Sequence, residues 1–347
     1  MKRIGTTIKL FMLCVFLSAS YYAKSQQQIA EFLKGNVKDA ETLATAYMEP
    51  FGKMFGTSLN GGWYQAARPH KLLGFNVTFV TSVATVPTSA KTFDVSKLTL
   101  QNLELADPQN NISQTISGKN TLGPRVVYKD DPTGTLGFDL PKGANLPFTF
   151  MPMIQAGIGL PFHTELTVRF LPTVNVPKVG SVSLWGVGAK NEFKEFIPGL
   201  KLVPIDLSIM LGYTKFASEF EISYKPAPAD MPANYTAADF NDQKLALDAN
   251  GFTARLLVGK SLPFLSAYVG LGYSTAKTDF GLKGTYPIGM APLYSGVEVD
   301  PFMMKYSHNG FSGNIGFRVR LGVIAFNVDY TLGEYALYSG GIGISFR

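Results

Sequence analysis

The sequence predicts an all-β fold: a closed antiparallel transmembrane β-barrel of about ten strands, within a range of 8–14, with an N-terminal helical plug or hatch. Three observations predict it. The last thirty-seven residues alternate apolar with small or polar residues, as in Ile315, Phe317, Val319, Leu321 and Ile324, Phe326, Val328, Tyr330. Charged residues make up only 16% of the chain against 13% aromatics, where soluble domains carry roughly 25% charge. Beyond the first residues no apolar run approaches the ~20 residues of a membrane helix. Strands with one unbroken apolar face, joined by very short turns, fit a barrel wall.

Lys2, Arg3 and Lys9 precede the apolar run Leu10–Leu17, and Ala23-Lys24-Ser25 offers a small-x-small cleavage site. Residues 1–25 therefore read as a secretory signal peptide, and the expected location is the outer membrane. Cys14 follows Leu13 inside that segment, so neither a lipoprotein anchor nor thiol chemistry is expected. Removing Lys2, Arg3, Lys9 and Lys24 lowers the net charge of +6 to about +2, which gives no reason to expect nucleic acid as a partner.

Residues 26–71 form the predicted plug segment. Apolar residues recur at helical spacing from Gln26 to Glu49, with a stripe through Phe32, Leu33, Val37, Leu43 and Tyr47. Pro50 is expected to stop this helix. The stripe packs either into the barrel mouth or along the periplasmic side outside the barrel. Glycines from Gly56 to Gly62 would let the chain bend towards the first strand.

The barrel is expected over residues 72–347. Its first strand spans Leu72–Val86, and a long polar excursion, 87–146, follows on the extracellular side. Further strands are expected at Pro147–Leu160, Thr164–Val174, Ser181–Lys190, Pro204–Phe216, Lys244–Lys260 and Phe264–Leu282. Asn191–Gly199 reads as a helix-like connection, and Gly284–Asn309 as a polar loop before three C-terminal strands. Ten strands give a narrow lumen, too small for a general-diffusion pore.

Phe317, Val319, Ile324, Phe326, Val328, Ile342 and Ile344 should face lipid, with Asn327 facing inward. Tyr213, Phe264, Tyr273, Tyr330, Tyr338 and Phe346 suit the interfacial girdles. Glu165, Arg169, Asp206, Arg318, Arg320 and Asp329 alternate with apolar wall residues and should face the lumen, because lipid-facing Arg costs about 2–4 kcal/mol at mid-depth. They can brace wall and plug, orient a solute, or grip an anionic head group.

Recurring pairs such as Gly157-x-Gly159, Gly186-x-Gly188, Gly270-x-Gly272 and Gly341-x-Gly343 lack the following helix of a phosphate loop. They make room for a plug or relieve crowding in the wall. His70, His163 and His308 are widely separated, so no metal or other cofactor is expected. In Tyr306-Ser307-His308-Asn309-Gly310-Phe311-Ser312, Ser307 points away from His308, and Ser312 is roughly 13 Å along a strand. Asn309-Gly310 reads as a turn. The chain is not expected to be an enzyme.

The whole chain after residue 25 resembles an uncharacterised family of Gram-negative outer-membrane barrels. Gly62-Trp63-Tyr64-Gln65-Ala66-Ala67, Leu73-Gly74-Phe75, Ile154–Pro161 and Arg169-Phe170-Leu171-Pro172 also resemble the long-chain fatty-acid outer-membrane transporter superfamily. That resemblance implies an N-terminal hatch and passage of hydrophobic molecules, with exit sideways through the wall. The expected function is a plugged channel for a small hydrophobic solute or lipid. The alternative is a non-transporting structural or secretion-accessory barrel. Outer-membrane lipid is the expected surrounding partner.

Overall fold

The computed structural model describes residues 37–176, 179–226, 231–232, 234–290 and 293–346. The segment read as a signal peptide, and Phe32 and Leu33, lie outside the described residues. One long helix, α1 (Val37–Ser58), precedes β1 (Phe75–Thr85). The excursion after β1 folds on itself. β2 (Thr92–Asp94) pairs with β4 (Ile112–Gln114), and β3 (Leu103–Leu105) with β5 (Arg125–Tyr128), which also pairs with β6 (Gly137–Asp139). The chain then returns as β7 (Phe148–Leu160), β8 (Thr164–Val176), β9 (Gly180–Glu192), β10 (Asp206–Glu221), β11 (Lys244–Ser261) and β12 (Leu265–Lys283). A hairpin of β13 (Thr285–Met290) and β14 (Leu293–Val299) leads into β15 (Met303–Leu321), β16 (Ile324–Leu332) and β17 (Leu337–Phe346).

Ten of these strands close an antiparallel barrel in the order β1-β17-β16-β15-β12-β11-β10-β9-β8-β7. Closure gives every wall strand a neighbour on both sides over at least part of its length, as a membrane wall requires. Phe317, Val319, Ile324, Phe326, Val328, Ile342 and Ile344 are 39–59% exposed on the outside. Their alternating neighbours Ala325, Asn327 and Asp329 are buried in the lumen. Trp185, Tyr273 and Tyr338 are exposed on the upper part of this apolar band, and Phe264 and Phe346 at its lower edge. This is an outer-membrane barrel by its own surface: a closed wall with a continuous apolar exterior. Among the described residues no helix is long and apolar enough to cross a membrane.

The turns at 161–163, 262–264 and 322–323 lie at one end with Phe75 and Phe346, the periplasmic end of such barrels. At the other end, β10, β11, β12 and β15 rise above the apolar band. There their outward residues turn polar: Lys215, Asp248, Lys277 and Lys305 are exposed. The stretch expected as a loop to Asn309 is therefore partly wall. β15 begins at Met303, and Asn309-Gly310 is mid-strand, paired with Thr275 and Ser274, rather than a turn. Inward Met304 and Tyr306 are buried and join the core around α1, which accounts for strand beyond the lipid.

The helix also departs from expectation. It runs through Pro50 to Ser58. Proline inside a helix costs about 3 kcal/mol. Beyond it, Phe51, Met54 and Phe55 are buried, and each such side chain contributes roughly 1.5–3 kcal/mol. Burial wins. Carbonyls in the turn before Pro50 find outside partners: Thr45 accepts from the Tyr306 hydroxyl at 3.2 Å, and Tyr47 from the Ile116 N–H at 3.0 Å.

Candidate functional site

Helix α1 lies inside the barrel, against β1, β7, β11, β12 and β15. Its first turn is at the extracellular end. There the Asp39 carboxylate accepts N–H groups of Gln101, Asn102 and Leu103 at 2.6, 2.8 and 3.0 Å. The Tyr47 hydroxyl donates to the Lys142 carbonyl at 2.9 Å. The chain then descends. Thr278 donates to Gly52, Asn60 to Thr275, and Arg68 meets Asp206 at the opposite end. Val37, Leu43 and Tyr47 thus face the upper lumen and the excursion, with Leu43 and Tyr47 fully buried. This is the end opposite to the periplasmic side, along which one of the two readings of the sequence lays the helix outside the barrel.

Below the helix, Arg169 grips the plug. Its guanidinium lies 3.6 Å from the Trp63 ring centroid. It donates to the carbonyls of Leu59 and Gly61 at 3.0 and 2.5 Å, to Thr214 Oγ1 at 3.2 Å and to Gln155 Oε1 at 3.1 Å. A buried cation without such acceptors would be costly. Trp63 fits because β9 and β10 are glycine there: a Cβ on Gly188 or Gly212 would stand 2.8 or 2.6 Å from the indole.

The remaining lumen candidates divide by height. Glu165 meets Lys190 at 3.2 Å and accepts the His70 N–H at 2.9 Å, while Lys190 donates to the Ala66 carbonyl at 3.0 Å. Asp206 pairs with Arg68 at 2.7 Å. Arg318 donates to Ser345 Oγ at 2.5 Å, and Arg320 is partly exposed at the periplasmic mouth. Asp329 belongs to a separate chain: Arg255 donates to Asn314 at 3.3 Å, and Asn314 to Asp329 at 2.7 Å. So Glu165 and Asp206 tie the plug at the periplasmic end, Arg169 ties it in mid-lumen, and Asp329 braces β15 against β16. Sequence reasoning missed Lys190, Arg255 and Trp63. The first two alternate with apolar wall residues just as Arg169 does, so the signal was present.

His308 and Ser312 both take other partners. His308 Nδ1 lies 3.6 Å from Glu334, and Ser312 Oγ accepts from Arg255 at 2.9 Å. Among the described residues no three metal-ligating side chains cluster.

The wall has one weak seam. β7 and β8 pair over only six residues, Gln155–Leu160 with Thr164–Arg169. Above this rung β7 pairs only with β1, and β8 only with β9. Pro152 and Pro172 sit on the two separated edges and lack the N–H that a ladder needs. The β8 register with β9 also shifts between Leu171 and Val174.

An apolar recess of about 660 Å³, counting its open side, lies beside this seam. Phe51 and Phe55 of the plug, and Leu184, Phe216 and Leu247 of the wall, face it from inside. Phe150 and Pro152 of β7 line it too, although they share the outward face with exposed Phe148 and Ile154. The recess is thus lined from both faces of β7, by Met151 on the lumen face and by Phe150 and Pro152 on the outward face.

Three solved structures show a limited likeness. The attachment invasion locus protein Ail of Yersinia pestis is 7% identical over 79% of this chain and 98% of its own, with a TM-score of 0.25. The translocator domain of the autotransporter NalP from Neisseria meningitidis is 10% identical over 88% and 96%, with a TM-score of 0.30. The toluene transporter TbuX of Ralstonia pickettii is 8% identical over 86% and 99%, with a TM-score of 0.24. No curated protein matches the chain. A family profile covers residues 1–346, and the chain belongs to that family, DUF6588, described as a family of unknown function.

Proposed function

We propose that this barrel passes a small hydrophobic solute sideways, between the recess above Arg169 and the outer leaflet, through the β7–β8 seam. The recess beside the seam, lined from both faces of β7, carries this reading. Straight passage is disfavoured, because residues 59–68 fill the lower lumen and are bonded to the wall at Arg169, Lys190 and Ser208. The lining is almost wholly apolar, with Ser218 the one hydroxyl among aromatic and aliphatic side chains. Such a site selects by size and apolarity rather than by hydrogen bonding. A twelve-carbon diazirine alcohol in proteoliposomes tests the reading. Photolabelling is expected on Phe51, Phe150 and Leu171, and should fall when Leu184→Trp fills the recess. Labels confined to lipid-facing residues such as Val168 would sink it.

The firmly held lower plug favours a second reading, a scaffold that presents the 87–146 excursion. Asp39 and Tyr47 fix that excursion to α1. On this reading the recess stays unlabelled.

A further inference from the structure

The periplasmic mouth is a second cavity, of about 1500 Å³ counting its open side. Arg68, Lys71, Arg318 and Arg320 line it, and among the described residues no carboxylate does. The carboxylates nearest in the fold are already engaged. Asp206 is held by Arg68, and Glu165 by Lys190 and the His70 N–H. Arg318 and Arg320 stand two residues apart on the lumen face of β15, about 6.6 Å by strand rise. Arg318 has only the Ser345 hydroxyl, and its buried Nε has no acceptor among the described residues. The Arg320 side chain has no hydrogen bond or ion pair there. Among the described residues neither guanidinium has a direct carboxylate partner, Glu165 acting on Arg318 only at longer range, and two such forked groups match a planar or tetrahedral oxyanion. Beside them the turn 262–264 exposes Leu262 and Phe264, 47% and 61% accessible.

We propose that this mouth binds an oxyanion, a phosphate or carboxylate, between Arg318 and Arg320, with the apolar turn receiving any attached hydrocarbon tail. The site is at the opposite end of the barrel from the β7–β8 seam and does not rest on passage through it. The charge comes from Arg318 and Arg320, while Arg68 is spent on Asp206. The tail contact makes a lipid head group one source of the anion, and a free periplasmic ion the other.

The test is titration calorimetry on the full barrel in dodecyl maltoside, with dodecyl phosphate, inorganic phosphate and dodecyltrimethylammonium as probes. Dodecyl phosphate is expected to bind one to one. Arg318→Gln/Arg320→Gln should weaken it roughly tenfold, about 1.4 kcal/mol, and Arg320→Lys, which keeps the charge but loses the fork, should fall between wild type and the double variant. Competition by inorganic phosphate assigns a free oxyanion, and its failure to compete assigns a lipid head group. Equal affinity of wild type and double variant, equal binding of the ammonium probe, or no binding of dodecyl phosphate overturns the proposal. If the double variant does not show the heat-modifiable migration of an assembled barrel, Arg320→Gln alone carries the comparison.

Discussion

Gln155 on β7 and Arg169 on β8 form the last paired rung between the two strands, and their side chains are themselves bonded, Arg169 Nε donating to Gln155 Oε1 at 3.1 Å. The same guanidinium holds Leu59, Gly61 and Trp63 of the plug. One residue therefore sets both the lower limit of the seam and the position of the plug.

Arg169→Met should loosen both at once. It strands the Gly61 carbonyl, leaves that of Leu59 to the Thr214 hydroxyl alone, and removes the cation from the Trp63 face, at a cost on the order of 2–4 kcal/mol. The expected result is a lower heat-modification temperature and raised single-channel conductance. Unchanged values for both would show that the plug is held elsewhere.

Gly212→Val should act on the plug from the wall side. The added Cβ would stand 2.6 Å from Trp63, whose ring is 1% exposed and has no room to move. Assembly is expected to fail or to expose Trp63, read as a red shift in its fluorescence. Trp63→Ala in the same chain should restore assembly, since it vacates the space.

The direction of α1 makes a topological prediction. Val37 stands at the extracellular end and Arg68 at the periplasmic end. An epitope placed just ahead of Val37 should bind antibody on intact cells. Labelling only after the outer membrane is permeabilised would reverse the direction of the plug.

The apolar band also has a measurable upper limit. Ile315 is 45% exposed within the band, and Arg there should cost about 2–4 kcal/mol of insertion. Lys277, outward on β12 above the band, should accept Ala or Glu with little effect on yield. Equal sensitivity at the two positions would place the membrane elsewhere on the wall.

In the excursion, the Asp131 carboxyl is pushed down to about 2, chiefly by the Thr133 hydroxyl and then by the Leu136 N–H. A depressed carboxyl stabilises its turn above its ordinary range, and that contribution disappears as the pH falls through the folded value. Amide protection at Thr133 and Leu136 should thus persist at pH 4. Asp131→Ala, which removes both acceptor oxygens, should abolish it at every pH.

Much of the barrel was legible because its cause is local. A wall between lipid and lumen must alternate, and that alternation shows in single strands such as Ile324–Leu332. The end of α1 was not legible: Pro50 reads as a stop, and only tertiary burial of Phe51 and Phe55 overrides it. The start of β15 was hidden by Asn309-Gly310 and by the polar outward residues of a strand above the lipid. The charged lumen residues could be identified, but not their partners, which come from strands far apart in sequence. The seam left a trace in Pro152 and Pro172, since proline inside a wall strand marks an unpaired edge. That the two edges are neighbours follows only from closure of the barrel.

The central claim, sideways passage at the β7–β8 seam, is tested most directly by tying the seam shut. Pro152→Cys/Pro172→Cys places one thiol on each of the two separated edges, three positions beyond the last rung Gln155–Arg169. The only native cysteine, Cys14, lies in the segment read as a signal peptide. Uptake of N-phenyl-1-naphthylamine would be followed in cells carrying this variant, oxidised and then reduced. Uptake is expected to be low in the oxidised barrel and to rise several-fold on reduction, with no such change in wild type. Equal uptake before and after reduction, with the disulfide shown to form, would contradict the account.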